Sequence, residues 1–279
     1  MPQAILLGNA QDAGLPQAGC GCENCAAAWR DPSRRKYVSA LGLLDVDAGE
    51  WLMIDATPDF REQFHGMQEL AASARFGGIL ITHAHIGHYT GLIHLGYEAM
   101  AARAAPLYGT KRLNEFLRTH APWRQLVEQH NIELRELAPN EWRPVTPSLS
   151  VRPLLVPHRD EWSDTAGFIV RGPRRQLLYL PDIDGWDRWA LSVRETVMRV
   201  DAALLDGSFF SAGELPGRDV SEIGHPLVTD TAARLTGIST DVRFIHLNHS
   251  NPLHRPGPER AWLEAQGFRV GELGDTWKL

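Results

Sequence analysis

The stretch THAHIGHYTG, residues 82–91, places His83, His85 and His88 within six residues. It follows the apolar run GGILI, residues 77–81, which reads as a short buried strand. In extended backbone, side chains at i and i+2 share a face, so His83 and His85 can converge on one ion. His88 reaches a second ion if the chain turns helical over residues 87–90. Neutral imidazole is the commonest biological ligand for zinc and also suits iron and nickel. A lone histidine is usually structural. Three of them at a strand end point to a metal.

A metal site draws further ligands from elsewhere in the chain. Four positions qualify because each follows an apolar strand candidate. LLVPH ends in His158, LLYLPD in Asp182 and AALLD in Asp206, while RFIHLNH carries His246 and His249. Strand ends along one edge of a sheet are where α/β folds collect their sites.

Strand-like runs alternate with helical ones along the rest of the chain. Residues 5–7, 40–46 and 51–55 read as strands, the latter two joined by the turn Asp47-Ala48-Gly49. Thr57-Pro58 reads as an N-cap and first helical residue, opening a helix at DFREQF. Helical character is also expected over residues 93–102 and 189–200. The pattern predicts a mixed, layered α/β fold forming a single domain over residues 1–279. Residues 207–224 carry no clear period. A segment of that length is often a functional lid or binding loop, and as often a plain surface connection.

Composition narrows the function. A net charge of −6 gives no general basic footprint, so nucleic acid is not an expected partner. The basic run RDPSRRK, residues 30–36, reads as a solvated loop. No apolar run approaches the ~20 residues of a membrane span, and the first residues do not resemble a secretion signal. A cytoplasmic setting is the expectation. Cys20, Cys22 and Cys25 form the cluster CGCENC, which in a reducing compartment points to metal rather than disulfide. His249 is the best fourth ligand for a Cys3His zinc element formed with residues 18–26, because His246 and His249 can face opposite ways.

These motifs together resemble the metallo-β-lactamase superfamily. The resemblance implies a four-layer αββα sandwich with an N-terminal cysteine-rich zinc loop. It implies that His83, His85 and His158 hold one ion, that His88 and His246 hold another, and that Asp182 bridges them. Asp55 is similar to the superfamily's buried aspartate that braces the ligand loop. Asp206 reads as a structural carboxylate or one that supports a ligand. LLGNAQDAGLPQAGCGCENC resembles the branch holding coenzyme PQQ synthesis protein B and the cyclic-phosphate phosphodiesterase of phosphonate degradation. In that branch His225 aligns with a substrate-contacting acid, and a homodimer is implied. The β-lactam hydrolysis that names the superfamily is not expected, nor is a tRNA-processing nuclease.

Gly87 departs from the pattern. It stands where the superfamily's H-x-H-x-D-H motif has a carboxylate for the second ion. Three outcomes follow: a two-ion site completed by water or substrate, a weakened second site, or a single ion. The expected cofactors are a structural Zn2+ and one or two active-site divalent ions (Zn2+, Mn2+ or Fe2+). The expected activity is hydrolysis of a small anionic ester, a phosphodiester first, with Asp182 and His225 as catalytic residues. The alternative is an oxidoreductase or hydroxylase in cofactor or peptide-derived metabolite synthesis. His88, His246 and Asp182 supply the 2-His-1-carboxylate set used by Fe(II) enzymes. Trp162, Asp164, Phe209 and Phe210 are candidates to line a substrate cleft. Arg159, Arg218 and His254 are candidates to meet an anion, since arginine in particular suits phosphate or carboxylate geometry.

Overall fold

The structure, a computed structural model, describes residues 1–214 and 224–279. Of the patternless segment 207–224, residues 215–223, with Arg218, lie outside the described residues.

Two seven-stranded sheets form the centre. The first contains β1 (Gln3–Gly8), β2 (Ala40–Asp45), β3 (Glu50–Ile54), β4 (Arg75–Leu80), β5 (Ala105–Gly109) and β6 (Ile132–Glu136), side by side in chain order. The C-terminal strand β14 (Thr276–Lys278) closes its β1 edge. The second sheet runs β7 (Arg143–Pro144), β8 (Ser150–Val156), β9 (Thr165–Arg171), β10 (Gln176–Leu180), β11 (Ala202–Asp206), β12 (Asp241–Ile245) and β13 (Arg269–Val270).

The strands are apolar on both faces because both faces are covered. Leu41 and Leu43 of β2 and Leu177 and Tyr179 of β10 point into the layer between the sheets. Their neighbours point outward, Ala40 and Leu44 to one helical layer, Leu178 and Leu180 to the other. The first outer layer holds α2 (Phe60–Ala71), α4 (Lys111–Thr119) and α5 (Trp123–Glu128). The second holds α6 (Val193–Val197), α7 (Val228–Arg234) and α8 (Pro258–Ala265). This is the expected αββα sandwich.

Strand direction decides where the site falls. β1 and β3 are each antiparallel to β2, and β3 is parallel to β4. The C-terminal ends of β1, β3 and β4 therefore lie at one edge of the first sheet. In the second sheet β8 and β10 are each antiparallel to β9, while β10, β11 and β12 run parallel. Their C-terminal ends share an edge too. A bond from Ala166 N to the Thr82 carbonyl (3.0 Å) and the bridge Ala10–Leu247 tie the sheets together there.

Three expected helices change. Residues 93–102 form no α-helix. A 3₁₀ segment, Thr90–Leu95, stops at extended Gly96, and tight turns leave Tyr97 and Met100 facing solvent instead of a core. Within 189–200 only α6 is helical. Trp189 is extended, its indole donating to the Leu155 carbonyl (2.8 Å), and Ser192 caps the helix from its side-chain oxygen. Thr57 is not an N-cap; α2 starts at Phe60. Its hydroxyl accepts from Asp59 N and donates to Gln63, so the cap position passes to Asp59. The cysteine-rich segment is part helix, since Cys25 sits on α1 (Glu23–Arg30).

Candidate metal centre

β4 ends at Leu80, and the chain runs on through His83, bends at Ala84 and His85, then makes the single turn α3 (Ile86–Tyr89). His83 and His85 thus leave the strand end together, and the turn brings His88 back beside them. His83 Nε2, His85 Nδ1 and His158 Nε2 converge: His85 Nδ1 lies 2.8 Å from His83 Nε2 and 3.2 Å from His158 Nε2.

The opposite ring nitrogens fix the tautomers. His158 Nδ1 donates to Asp184 (3.0 Å), His85 Nε2 to Glu161 (3.0 Å) and His83 Nδ1 to the Thr82 hydroxyl (3.0 Å), which itself donates to Asp55. The three facing nitrogens are then all lone-pair donors. Histidine ligands are characteristically backed in this way by carboxylates or hydroxyls. Burial and the neighbouring His88 charge hold His83 well below the ordinary imidazole pKa, so it stays neutral.

A second group lies beside the first. His88 Nδ1 donates to Asp55 (2.8 Å), which turns Nε2 toward His246 and Asp182. His246 Nδ1 pairs with the Ser208 hydroxyl (3.0 Å), which turns its Nε2 the same way. Asp182 Oδ2 lies 3.0 Å from His88 Nε2 and 3.3 Å from His246 Nε2. Its Oδ1 faces the first group, 3.7 Å from His158 Nε2. His88 Nε2 and Asp182 Oδ2 are both buried without a hydrogen-bond partner among the described residues. Two unpartnered polar atoms, 3.0 Å apart and solvent-free, are what a shared cation would satisfy.

The buried carboxylates favour positive charge here, whether on a protonated His88 ring or on a bound cation. Burial opposes a charge on Asp182, but His246 and His88 outweigh it and hold the carboxyl well below its usual range. Burial also opposes a charge on His88, and Asp55 and Asp182 outweigh it. Asp55 and His246 have φ of +70° and +60°, a backbone cost that sites impose on non-glycine residues.

A carboxylate from elsewhere in the chain stands beside His88 and His246, where Gly87 offers none. Asp12, in the loop after β1, puts Oδ1 3.2 Å from both His88 Nε2 and His246 Nε2. The second group therefore does not lack a carboxylate, and it holds two histidines with two carboxylates. Asp12 was not legible in the sequence, because nothing in linear order pairs residue 12 with residue 246. Asp184 and Glu161 were missed as well, although they follow Asp182 and His158 by two and three positions.

His225 stands at the rim of both groups. Its Nδ1 donates to Asp206 (2.8 Å) and lies 3.8 Å from Asp182. Burial works against its charge, but Asp206 outweighs it and lifts the pKa to about 9. Asp206 also accepts from Ser208 N and Ile183 N, so it supports His225 from behind.

Cys20, Cys22, Cys25 and His249 form a separate group, with both Cys20 and Cys22 Sγ 3.4 Å from His249 Nδ1. Burial lowers the His249 pKa and keeps its ring neutral. Three thiols and one imidazole match a closed structural zinc set. His246 and His249 face the two different groups, as their spacing suggested.

Of the cleft candidates, Trp162 and Arg159 line a cavity of about 530 Å3 beside His85, with Tyr89, Phe116 and Trp123. Asp164 instead accepts from Thr110. Phe209 packs near His225, with ring centres 6.0 Å apart, and Phe210 packs against Trp262. His254 is not an anion contact. Burial depresses its pKa to about 4, leaving it neutral at pH 7, and its Nε2 bonds the Asn248 carbonyl.

The sandwich and its strand-edge histidines define a metallo-β-lactamase fold. Residues 50–245 match the Beta-lactamase superfamily domain, and the chain belongs to that superfamily. It is 27% identical to coenzyme PQQ synthesis protein B of Methylobacterium sp. (strain 4-46), covering 99% of this chain and all of the relative. Zn(2+)-bound PqqB from Methylobacterium extorquens has the same fold, with a TM-score of 0.85 and 24% identity over 99% of this chain and 100% of the other. A diphosphatase of the PhnP family also shares it, with a TM-score of 0.71 and 20% identity over 99% and 96% of the two chains.

Proposed function

We propose that this chain is a metal-dependent hydrolase of a small anionic ester, with a phosphodiester as its first substrate class. The observation that carries the reading is the pair of donor groups joined at Asp182, with the Asp206-paired imidazole of His225 at their rim. His83, His85 and His158 would hold one divalent ion, His88 and His246 the other, and Asp182 would stand between. Such ions, when bound, supply a hydroxide at neutral pH and charge stabilisation for a phosphoester.

The chain's own residues do the rest. Asp206 holds His225 by Nδ1, which leaves the Nε2 proton for the leaving alkoxide oxygen. With a pKa of about 9 the ring is protonated at pH 7. Arg159 offers a guanidinium to an anionic group at the cleft wall. Tyr89, Phe116, Trp123 and Trp162 suit an apolar or aromatic part of the ester.

Protein loaded with zinc or manganese should cleave bis(p-nitrophenyl) phosphate or a cyclic phosphate. His225→Asn should lower kcat by ~10²–10⁴, the usual contribution of a general acid. No turnover across a panel of carboxylic esters, phosphodiesters and lactams would overturn the reading.

A second reading rests on the full-length similarity to coenzyme PQQ synthesis protein B. It is a metal-dependent oxidoreductase in cofactor or peptide-derived metabolite synthesis. Anaerobic iron loading followed by oxygen uptake with a tyrosine-containing substrate tests it. Displacement of the iron by equimolar zinc would count against it.

A further inference from the structure

We infer that Asp12 is a direct ligand of the second ion, supplied by the β1 loop in place of the carboxylate missing at Gly87. The inference rests on the two-ion reading above and adds a ligand to it.

Three observations carry it. First, Asp12 Oδ1 sits 3.2 Å from both His88 Nε2 and His246 Nε2, and Asp182 Oδ2 closes on the same two nitrogens from 3.0 and 3.3 Å. Asp12, His88 and His246 thus each offer one ligand atom within 4.8 Å of the others, and Asp182 Oδ2 reaches both histidines, a spacing that suits a divalent cation. Among the described residues His88 Nε2 has no hydrogen-bond partner, although both carboxylates are within reach.

Second, Gly87 and Asp12 are mutually dependent. A Cβ built on residue 87 would fall 2.5 Å from Asp12 Oδ1 and 2.5 Å from Asp12 Cα. The second contact involves backbone, so rotating the Asp12 side chain would not relieve it. A carboxylate at position 87 and the present path of residue 12 exclude each other. Glycine is there because the chain carrying the replacement ligand passes through the space.

Third, the replacement is held in place. Gln11 N donates to the Leu247 carbonyl (2.9 Å), and Leu247 N to the Asn9 carbonyl (2.8 Å). These bonds fix residues 9–11 against the residue next to His246. Gly14 N bonds the Gln11 carbonyl (2.7 Å), and Gly14 has φ +68°, so the chain turns away immediately after Asp12. A surface carboxylate would need no such constraint.

The test is metal binding by the full chain. Wild type, Asp12→Asn and Asp12→Ala are stripped with a chelator and reloaded with Zn2+, and the ions are counted by elemental analysis and located by anomalous diffraction. Wild type should hold an ion between His88, His246 and Asp182 within coordination distance of Asp12. Both variants should keep the ions of the His83/His85/His158 and cysteine groups, which reports that they are folded. Their affinity at the second position should fall by more than the roughly 10–100-fold typical of losing a supporting residue. Unchanged occupancy and affinity in both variants would overturn the assignment while leaving the two-ion reading intact. No ion at that position in wild type would overturn both.

Discussion

Gly87 shows how one residue's identity follows from a neighbour 75 positions away. Its significance is steric, since a side chain there meets the Asp12 backbone at 2.5 Å. Gly87→Ala should therefore destabilise the protein by about 1–3 kcal/mol, the range for overpacking a filled site. A lower denaturation midpoint in urea, with an unchanged slope, would register it. A neutral result would mean that the β1 loop yields easily. The same geometry sets a carboxylate, Asp12, beside His88 and His246, where Gly87 supplies none. The histidine cluster and Asp182 were legible because each follows a strand-like run. Asp12 was not, since the apolar pattern of β1 says nothing about which element its loop will meet.

Among elements, the two segments that reach the cysteine group also reach the histidines. Residues 9–12 lead into Cys20, Cys22 and Cys25, and β12 leads through His246 to His249. Asn24 strengthens the tie by donating to the carbonyls of His249 (3.0 Å) and Asn251 (2.9 Å). Removing the cysteine ion should thus loosen Asp12 and His246 together. Cys22→Ser is expected to lower occupancy of the second active-site position as well as of the cysteine group, while His83, His85 and His158 keep theirs. Elemental analysis after dialysis against a weak chelator measures this.

A different element junction sets part of the acid stability. Asp45, at the end of β2, is buried and accepts from Thr146 Oγ1 (2.5 Å), Ser148 N (3.1 Å) and Ala48 N (3.2 Å). Burial alone would raise its pKa, but these bonds outweigh it and lower the pKa. The folded value then lies below the unfolded one of ~3.9. Its stabilisation is present above the unfolded pKa and is lost as pH falls through the folded pKa. Asp45→Asn should cost about 1–3 kcal/mol at pH 7. It should cost less near pH 3, so denaturation midpoints of variant and wild type should converge on acidification.

At the scale of the whole molecule, the layer between the sheets holds the two halves of the site in register. Phe168 is fully buried there, in one cluster with Leu41, Ile54 and Leu80 of the first sheet and Tyr179 and Leu204 of the second. Phe168→Ala should cost about 3–5 kcal/mol. Because β4 carries His83 and β10 carries Asp182, metal affinity should fall with stability. Thermal melting with and without Zn2+ would show both effects. Fully retained affinity in a destabilised variant would mean that the site is held by its edge contacts alone.

The sequence by itself determined the fold class and most of the side chains that the structure gathers in the candidate metal centre. Apolar runs that end in His or Asp carry both signals at once, through burial of the run and exposure of its end. It also separated His246 from His249, because rings three residues apart can face different ways. It misplaced the helices at 93–102 and 189–200, where turns and a committed Trp189 overrode local pattern. Only the tertiary structure decided what surrounds His88 and His246. Strand direction brought the end of β1 to the same edge as β4 and β12, and there Asp12 entered the space that a glycine left open.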